Sequence, residues 1–166
     1  MSDTTKSLPD DQRRETAGVT AAPPLIFGAA LVVAVALHFL HPLHILSTAT
    51  IVLHLAGLAL IAIGLTLSIA VLRVFAKAGT QVSPYRETTR FVRTGPYRYT
   101  RNPDYVGQAL LYAGIAVVAN SWWPLILLPV VLVIIQRGVV RREERYLEAK
   151  FGQEYRDYQA RVRRWL

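Results

Sequence analysis

Residues 51–72 read IVLHLAGLALIAIGLTLSIAVL, a run without a single Asp, Glu, Lys or Arg. A bilayer core about 30 Å thick is crossed by about 20 apolar residues in a helix, which satisfies its own backbone groups where water cannot. The uncharged zone reaches well beyond this run, from Glu15 to Arg73, and a second one lies between Asp104 and Arg137. The 166 residues carry 19 Lys and Arg against 11 Asp and Glu, and all of them fall outside those two zones. A soluble domain of this length intersperses its charges, so the composition reads as an integral membrane protein.

Each zone holds two helices. In the first, one helix runs from Leu25 to about Ile45, with regularity failing near His41-Pro42. Ser47 or Thr48 caps the second, which reaches about Ala76. In the second zone a helix spans Pro103 to Val118, Ala119-Asn120-Ser121 turns, and a further helix starts at Trp122, kinked by Pro129. Beyond it, Val140, Leu147, Phe151, Tyr155, Tyr158 and Val162 recur at helical spacing, with a break near Gly152. The expected fold is all-α: a polytopic membrane protein with four transmembrane helices plus C-terminal amphipathic cytoplasmic helices. Residues 1–23 read as a flexible cytoplasmic tail and 24–166 as a single membrane-integral domain. With four spans every basic residue falls on one side, which places both termini in the cytoplasm.

The net charge of +8 suits solvation and contact with anionic membrane lipids, and no nucleic-acid partner is expected. No cysteine is present, which excludes disulfides, thiolate catalysis and zinc–thiolate sites. His38, His41, His44 and His54 fall toward the opposite side from the polar clusters without a carboxylate among them, so no metal is expected.

Chemistry concentrates in Gly95-Pro96-Tyr97-Arg98-Tyr99-Thr100-Arg101-Asn102-Pro103-Asp104-Tyr105-Val106-Gly107. Polar side chains this dense, set directly against a membrane-length apolar segment, are costly unless they have a task. The connection before it, from Lys77 to Arg101, holds Thr80, Gln81, Pro84, Tyr85 and Phe91-Val92 and reads as an ordered cap. Asn102-Pro103-Asp104 has the makings of a helix start, with Asn as N-cap, Pro in the first turn and an acid facing the dipole. The same amides and the Asn side chain also suit a polar ligand. Arg98 and Arg101 fit a lipid phosphate, a ligand carboxylate or water. Tyr97, Tyr99 and Tyr105 fit an interfacial aromatic belt or a cationic ligand. Glu143 and Glu144 point about a third of a turn apart, so one can face a site while the other pairs with Arg141 or Arg145.

That stretch, followed by Glu143-Glu144-x-x-Leu147 and Phe151-Gly152-x-x-Tyr155-x-x-Tyr158, resembles the isoprenylcysteine carboxyl methyltransferase and phospholipid methyltransferase superfamily over roughly residues 77–166. The resemblance implies a membrane-embedded enzyme that uses S-adenosyl-L-methionine, releases S-adenosyl-L-homocysteine and takes a lipophilic substrate from the bilayer. It implies cofactor contacts from Gln81, Tyr97, Arg101, Asn102, Pro103, Asp104, Tyr105, Glu143 and Glu144. Arg98, Arg137 and Arg141 are expected on the substrate side, and Glu144 is the candidate base. Two positions depart from the carboxyl methyltransferases: Asn102 stands where they have His, and Val139 where they place an arginine. An isoprenoid-type carboxyl, a lipid amine and a thiol all stay open as acceptor. The excess of Arg over Lys points to a bacterial inner membrane. The rival reading is a non-catalytic membrane protein that binds anionic lipid or a partner through its basic face.

Overall fold

The computed structural model describes residues 22–48, 50–79 and 91–166. The tail up to residue 21 and the segment holding Thr80, Gln81, Pro84 and Tyr85 lie outside the described residues. Regular structure there is entirely helical: α1 Pro23–Leu40, α2 Ile51–Ala78, α3 Pro103–Val118, α4 Trp122–Ile135, α5 Arg141–Phe151 and α6 Gln153–Arg161. A short 3-10 turn spans Gly95–Arg98, and a π turn, Gln136–Val140, joins α4 to α5. Among the described residues, three helical runs are long and apolar enough to cross a membrane: α1, α2, and the continuous run Trp122–Phe151, whose apolar part ends at Ile135. Helix α3 has 16 residues, about 24 Å of helix, which is less than the hydrocarbon thickness.

The closest packing is between α2 and α3, and glycine makes it possible. Gly57 and Gly64 are buried seven residues apart on α2, and Gly107 and Gly114 are buried seven apart on α3. Gly57 faces Gly114 and Gly64 faces Gly107, so the two helices run antiparallel with their backbones in contact. A Cβ built on Gly64 would stand 2.7 Å from the Gly107 carbonyl oxygen, and one on Gly57 2.9 Å from that of Gly114. Small residues let helices approach this closely in lipid, where apolar burial gives no net drive to associate. On the other side α1 packs against α4. Phe27, Tyr105, Tyr112, Val131, Ile135, Val139 and Val140 form the shared core. Ile51, Val52, Leu55 and Leu58 on α2 are each more than half exposed, as lipid-facing residues are.

Helix boundaries differ from expectation in the first zone. Helix α1 stops at Leu40 rather than near Ile45, since His41 leaves the helical region. Neither Ser47 nor Thr48 caps α2: Thr50 does, its Oγ1 accepting from the Leu53 amide at 3.3 Å. Helix α3 has the expected limits, and α4 continues through Pro129. The turn between them is tied to the α1–α2 connection. Asn120, at φ +50°, accepts from the Leu46 amide and donates to the Leu46 carbonyl, both at 2.9 Å. The Trp123 indole donates to the His41 carbonyl at 2.7 Å.

Candidate functional site

The opposite, polar end is assembled from three separate parts of the chain. The first is the segment leading into α3. Gly95, at φ +61°, admits the sharp turn that opens the 3-10 segment carrying Tyr97 and Arg98. Pro103 then begins α3, as its fixed φ favours. Asn102 occupies the N-cap position, but its side chain caps nothing. Its Nδ2 instead donates to the Arg164 carbonyl at 2.8 Å, and its own amide donates to Thr100 Oγ1 at 3.2 Å. In place of the expected Asn cap the side chain makes a long-range tie, with its amide oriented toward the Arg164 carbonyl.

The second part is α5, which presents Glu143 and Glu144. In a regular helix Arg137 and Glu144, seven apart, would share a face. The π turn between them adds a residue to the helical circuit, so Glu144 turns inward and is buried while Arg137 stays exposed. Glu143 Oε1 accepts from the Tyr105 hydroxyl at 2.7 Å. Glu144 is held by two guanidinium groups. Arg101 Nη1 lies 3.2 Å from its Oε1, and Arg164 donates from Nε at 2.9 Å and Nη2 at 2.8 Å. The arginine partners expected for the pair were Arg141 or Arg145. The actual ones come from before α3 and after α6, because both of those segments converge on the buried face of α5.

The third part is the final turn, which sequence reasoning missed. Arg163 and Arg164 run alongside Thr100 and Arg101: the Arg101 amide donates to the Arg163 carbonyl at 2.9 Å, and Thr100 Oγ1 to that of Arg164 at 3.2 Å. The Trp165 indole donates to Gln136 Oε1 at 3.1 Å, and the Tyr158 hydroxyl to the Tyr97 carbonyl at 2.7 Å. The one sequence signal was an Arg-Arg-Trp cluster beyond the last periodic residue, Val162. Phe91 anchors the incoming segment by packing on Phe151, Tyr155 and Tyr158.

The two glutamates differ sharply in charge compensation. Glu144 has two cations. Among the described residues, Glu143 and Asp104 have none: Glu143 meets the Tyr105 hydroxyl, and Asp104 Oδ2 accepts from Gln108 Nε2 at 2.8 Å. Glu143 lies eight residues past Ile135, about 12 Å of helix beyond the apolar run. Burial pushes its carboxyl up to about 7, the Tyr105 hydrogen bond opposes this, and the charges of Asp104 and Glu144 add to it. Burial also raises Tyr97 well above the usual phenol range and Tyr158 to about 12, so both hydroxyls stay protonated donors. The hydrogen bonds that Arg164 donates to Glu144 raise its own pKa.

Tyr97, Arg101, Asn102, Pro103, Asp104, Tyr105, Glu143 and Glu144 thus gather at one end of the bundle. Arg98, Arg137 and Arg141 are exposed, and none bonds to the cluster. Gln81 lies outside the described residues. Around the cluster, Arg101 Nε and Gln108 Oε1 are buried without a partner among the described residues. An unused donor, an unused acceptor and two carboxylates without counter-cations fit an amino-acid sulfonium compound, which carries a carboxylate, N–H groups and two positive centres.

A model of the phospholipid methyltransferase family matches residues 52–154. A 35-residue stretch is 54% identical to an uncharacterized protein of Haemophilus influenzae. That stretch is 21% of this chain and 56% of the other, so the match spans about half the length of that curated relative. No solved structure gives a significant match.

Proposed function

The chain belongs to the phospholipid methyltransferase family, and we propose that it uses S-adenosylmethionine to methylate an amine-bearing lipid at the cytoplasmic face of a membrane. In this reading α3 is a fourth crossing, shortened and shielded by α2, and both termini are cytoplasmic. The observation that carries the acceptor class is the charge asymmetry of the cluster. Glu143 and Asp104 lack cationic partners among the described residues, so a carboxylate acceptor would be repelled where an ammonium is attracted. Val139, the position where carboxyl methyltransferases place an arginine, is a buried apolar residue.

S-adenosylmethionine supplies an electrophilic methyl on a positively charged sulfur. The chain's own residues orient and discharge the reactants. Asp104 and Glu143 hold positive charge, Arg101 Nε offers a donor to a carboxylate, and the phenols of Tyr97 and Tyr105 line the approach with rings suited to cations. An ammonium acceptor must lose a proton before its nitrogen lone pair can attack. Sequence reasoning nominates Glu144 as base, but both of its oxygens are bonded to guanidinium. That role passes to Glu143, which accepts only from a phenol and whose carboxyl is raised by burial. Glu143 would take the proton from nitrogen, and the freed lone pair would then accept the methyl that the sulfonium supplies, leaving the neutral thioether.

The test is calorimetry of the purified full chain with S-adenosylmethionine and S-adenosylhomocysteine at about pH 6 and about pH 8. A group titrating near 7 goes from about a tenth to about nine-tenths ionised over that interval. Raising a carboxyl on folding favours the protonated form, so the stability it lends is full below its unfolded value and lost as pH rises through 7. Binding of a cation runs the other way. Affinity for the sulfonium should rise up to about tenfold across the interval, that for the uncharged thioether much less, and Glu143→Gln should abolish the difference. No saturable heat with either compound, or an unchanged pH profile in Glu143→Gln, refutes the reading. Incorporation of labelled methyl into extracted aminophospholipid then identifies the acceptor.

A further inference from the structure

We propose that Arg137, Arg141 and Arg145 form a docking ladder for the phosphodiester of an anionic phospholipid, at a position separate from the transfer site. The three are exposed at intervals of four residues along one helical run. Among the described residues none has a carboxylate partner, and their recorded bond is internal, from Arg145 Nε to the Arg141 carbonyl at 3.3 Å. Solvation alone would account for three scattered arginines. It does not account for what precedes them on the same face.

Ile126, Val130 and Ile134, also at intervals of four, are 49%, 55% and 48% exposed. Arg137 follows Ile134 by one turn, about 4.5 Å along the axis. An apolar lipid-facing stripe therefore passes directly into a basic one at the depth where the headgroup zone begins, since that zone occupies about 5–8 Å on each side of the hydrocarbon. An amphiphile with acyl chains and a net negative headgroup matches both halves of this stripe. A soluble acidic partner matches only the upper half, and a zwitterionic lipid brings no net charge to the ladder.

The geometry of α5 keeps the ladder off the transfer site. Arg141 and Arg145 each stand two residues from Glu143, about 200° round the helix, and the π turn takes Arg137 off the face of Glu144, so Glu143 and the basic ladder sit on different sides of one helix. Guanidinium forks suit phosphate oxygens geometrically as well as by charge. The lipid held there is a fixed neighbour of the helix that carries Glu143, not the acceptor.

The experiment uses the full chain in neutral detergent, titrated with dioleoylphosphatidylglycerol and, in parallel, dioleoylphosphatidylcholine, with bound lipid read by native mass spectrometry. The wild type should retain phosphatidylglycerol in clear preference. The triple variant Arg137→Gln/Arg141→Gln/Arg145→Gln should bind it about 100-fold more weakly at low ionic strength, and salt should erode the wild-type preference. A control, Arg161→Gln/Arg163→Gln, removes the same kind of charge elsewhere and should keep the preference. Equal retention of the two lipids by the wild type, full retention by the triple variant, or equal loss in the control each overturns the proposal. Should the triple variant melt early without lipid, Arg141→Gln alone replaces it, with a loss of several-fold expected and no loss counting against the ladder. Lipid retention is read without turnover, so failure here leaves the methyl-transfer reading standing, and the reverse.

Discussion

Gly64→Ala tests the packing on which the site's geometry depends. The added Cβ would lie 2.7 Å from the Gly107 carbonyl oxygen and 2.9 Å from both the Leu111 amide nitrogen and Leu111 Cγ, where ordinary contact begins at 3.4 Å. Two of these neighbours are backbone atoms, so no rotamer change relieves the clash. The helices must part by about 0.5–0.7 Å or α3 must slide, and overpacking of this kind costs about 1–3 kcal/mol. Alanine's better helix propensity returns up to about 1 kcal/mol in a solvated helix, which leaves a net loss of about 1–2 kcal/mol, or a melting point lower by about 2–8 °C. The site should register the shift too. Gly107 is three residues from Asp104 and two from Tyr105, whose hydroxyl reaches Glu143 at 2.7 Å, and a shift of about half an ångström stretches that bond past the usual O–H···O range and weakens it. Gly57→Ala makes an equally tight clash, 2.6 Å from Val118 Cγ2 and 2.8 Å from its amide nitrogen, but at the far end of the pair. Thermal unfolding in detergent, together with calorimetry against S-adenosylhomocysteine, separates the two. Both variants should melt early, and Gly64→Ala alone should bind more weakly. A Gly64→Ala protein with wild-type melting and wild-type affinity refutes the claim that this contact sets the position of Tyr105.

Glu144→Gln keeps the shape of the side chain and strands Arg101 and Arg164 without their shared counter-charge. Breaking a fully buried pair costs about 3–5 kcal/mol, and the 37% exposure of the Arg164 side chain reduces this to about 1–3 kcal/mol. In a double-mutant cycle, adding Arg164→Gln should cost less than it does alone, and strict additivity in chemical denaturation would show that the two do not interact. At the other end, Asn120→Ala removes both bonds to Leu46 and places a Cβ-bearing residue without Asn's local tolerance at φ +50°. Asn120→Gly keeps the backbone freedom and loses only the bonds. The Ala variant should melt below the Gly variant and both below wild type, with S-adenosylhomocysteine affinity unchanged. Identical melting of all three would remove Asn120 from the set of structural ties.

The helical architecture was legible because its signals are local. Hydropathy alone outlines the long runs, and Pro103 with the Ala119-Asn120-Ser121 turn bounds α3 to the residue. The end of α1 and the cap of α2 were misplaced because His41-Pro42 and the Ser47, Thr48 and Thr50 hydroxyls offer several equivalent stops, and only tertiary ties to Asn120 and Trp123 choose among them. The glycine pairing was invisible for a different reason. A glycine within an apolar run scores as one more small residue until its partner is known, and Gly57 and Gly64 acquire meaning only opposite Gly114 and Gly107.

The same distinction decides how the glutamates are understood. Glu143 and Glu144 are adjacent, and nothing within several residues of them says which is neutralised. That choice is made by the π turn, which rotates α5, and by Arg101 and Arg164, which arrive from about 40 residues before and 20 after. Once Glu144 is taken, Glu143 is left, among the described residues, with a phenol hydroxyl and no cation, and a buried carboxylate in that state is stabilised by whatever positive charge can reach it. Motif spacing can say that two carboxylates stand at the mouth of a helix bundle. Which of them is neutralised is settled only by contacts distant in sequence, since the guanidinium groups on Glu144 come from Arg101 and Arg164.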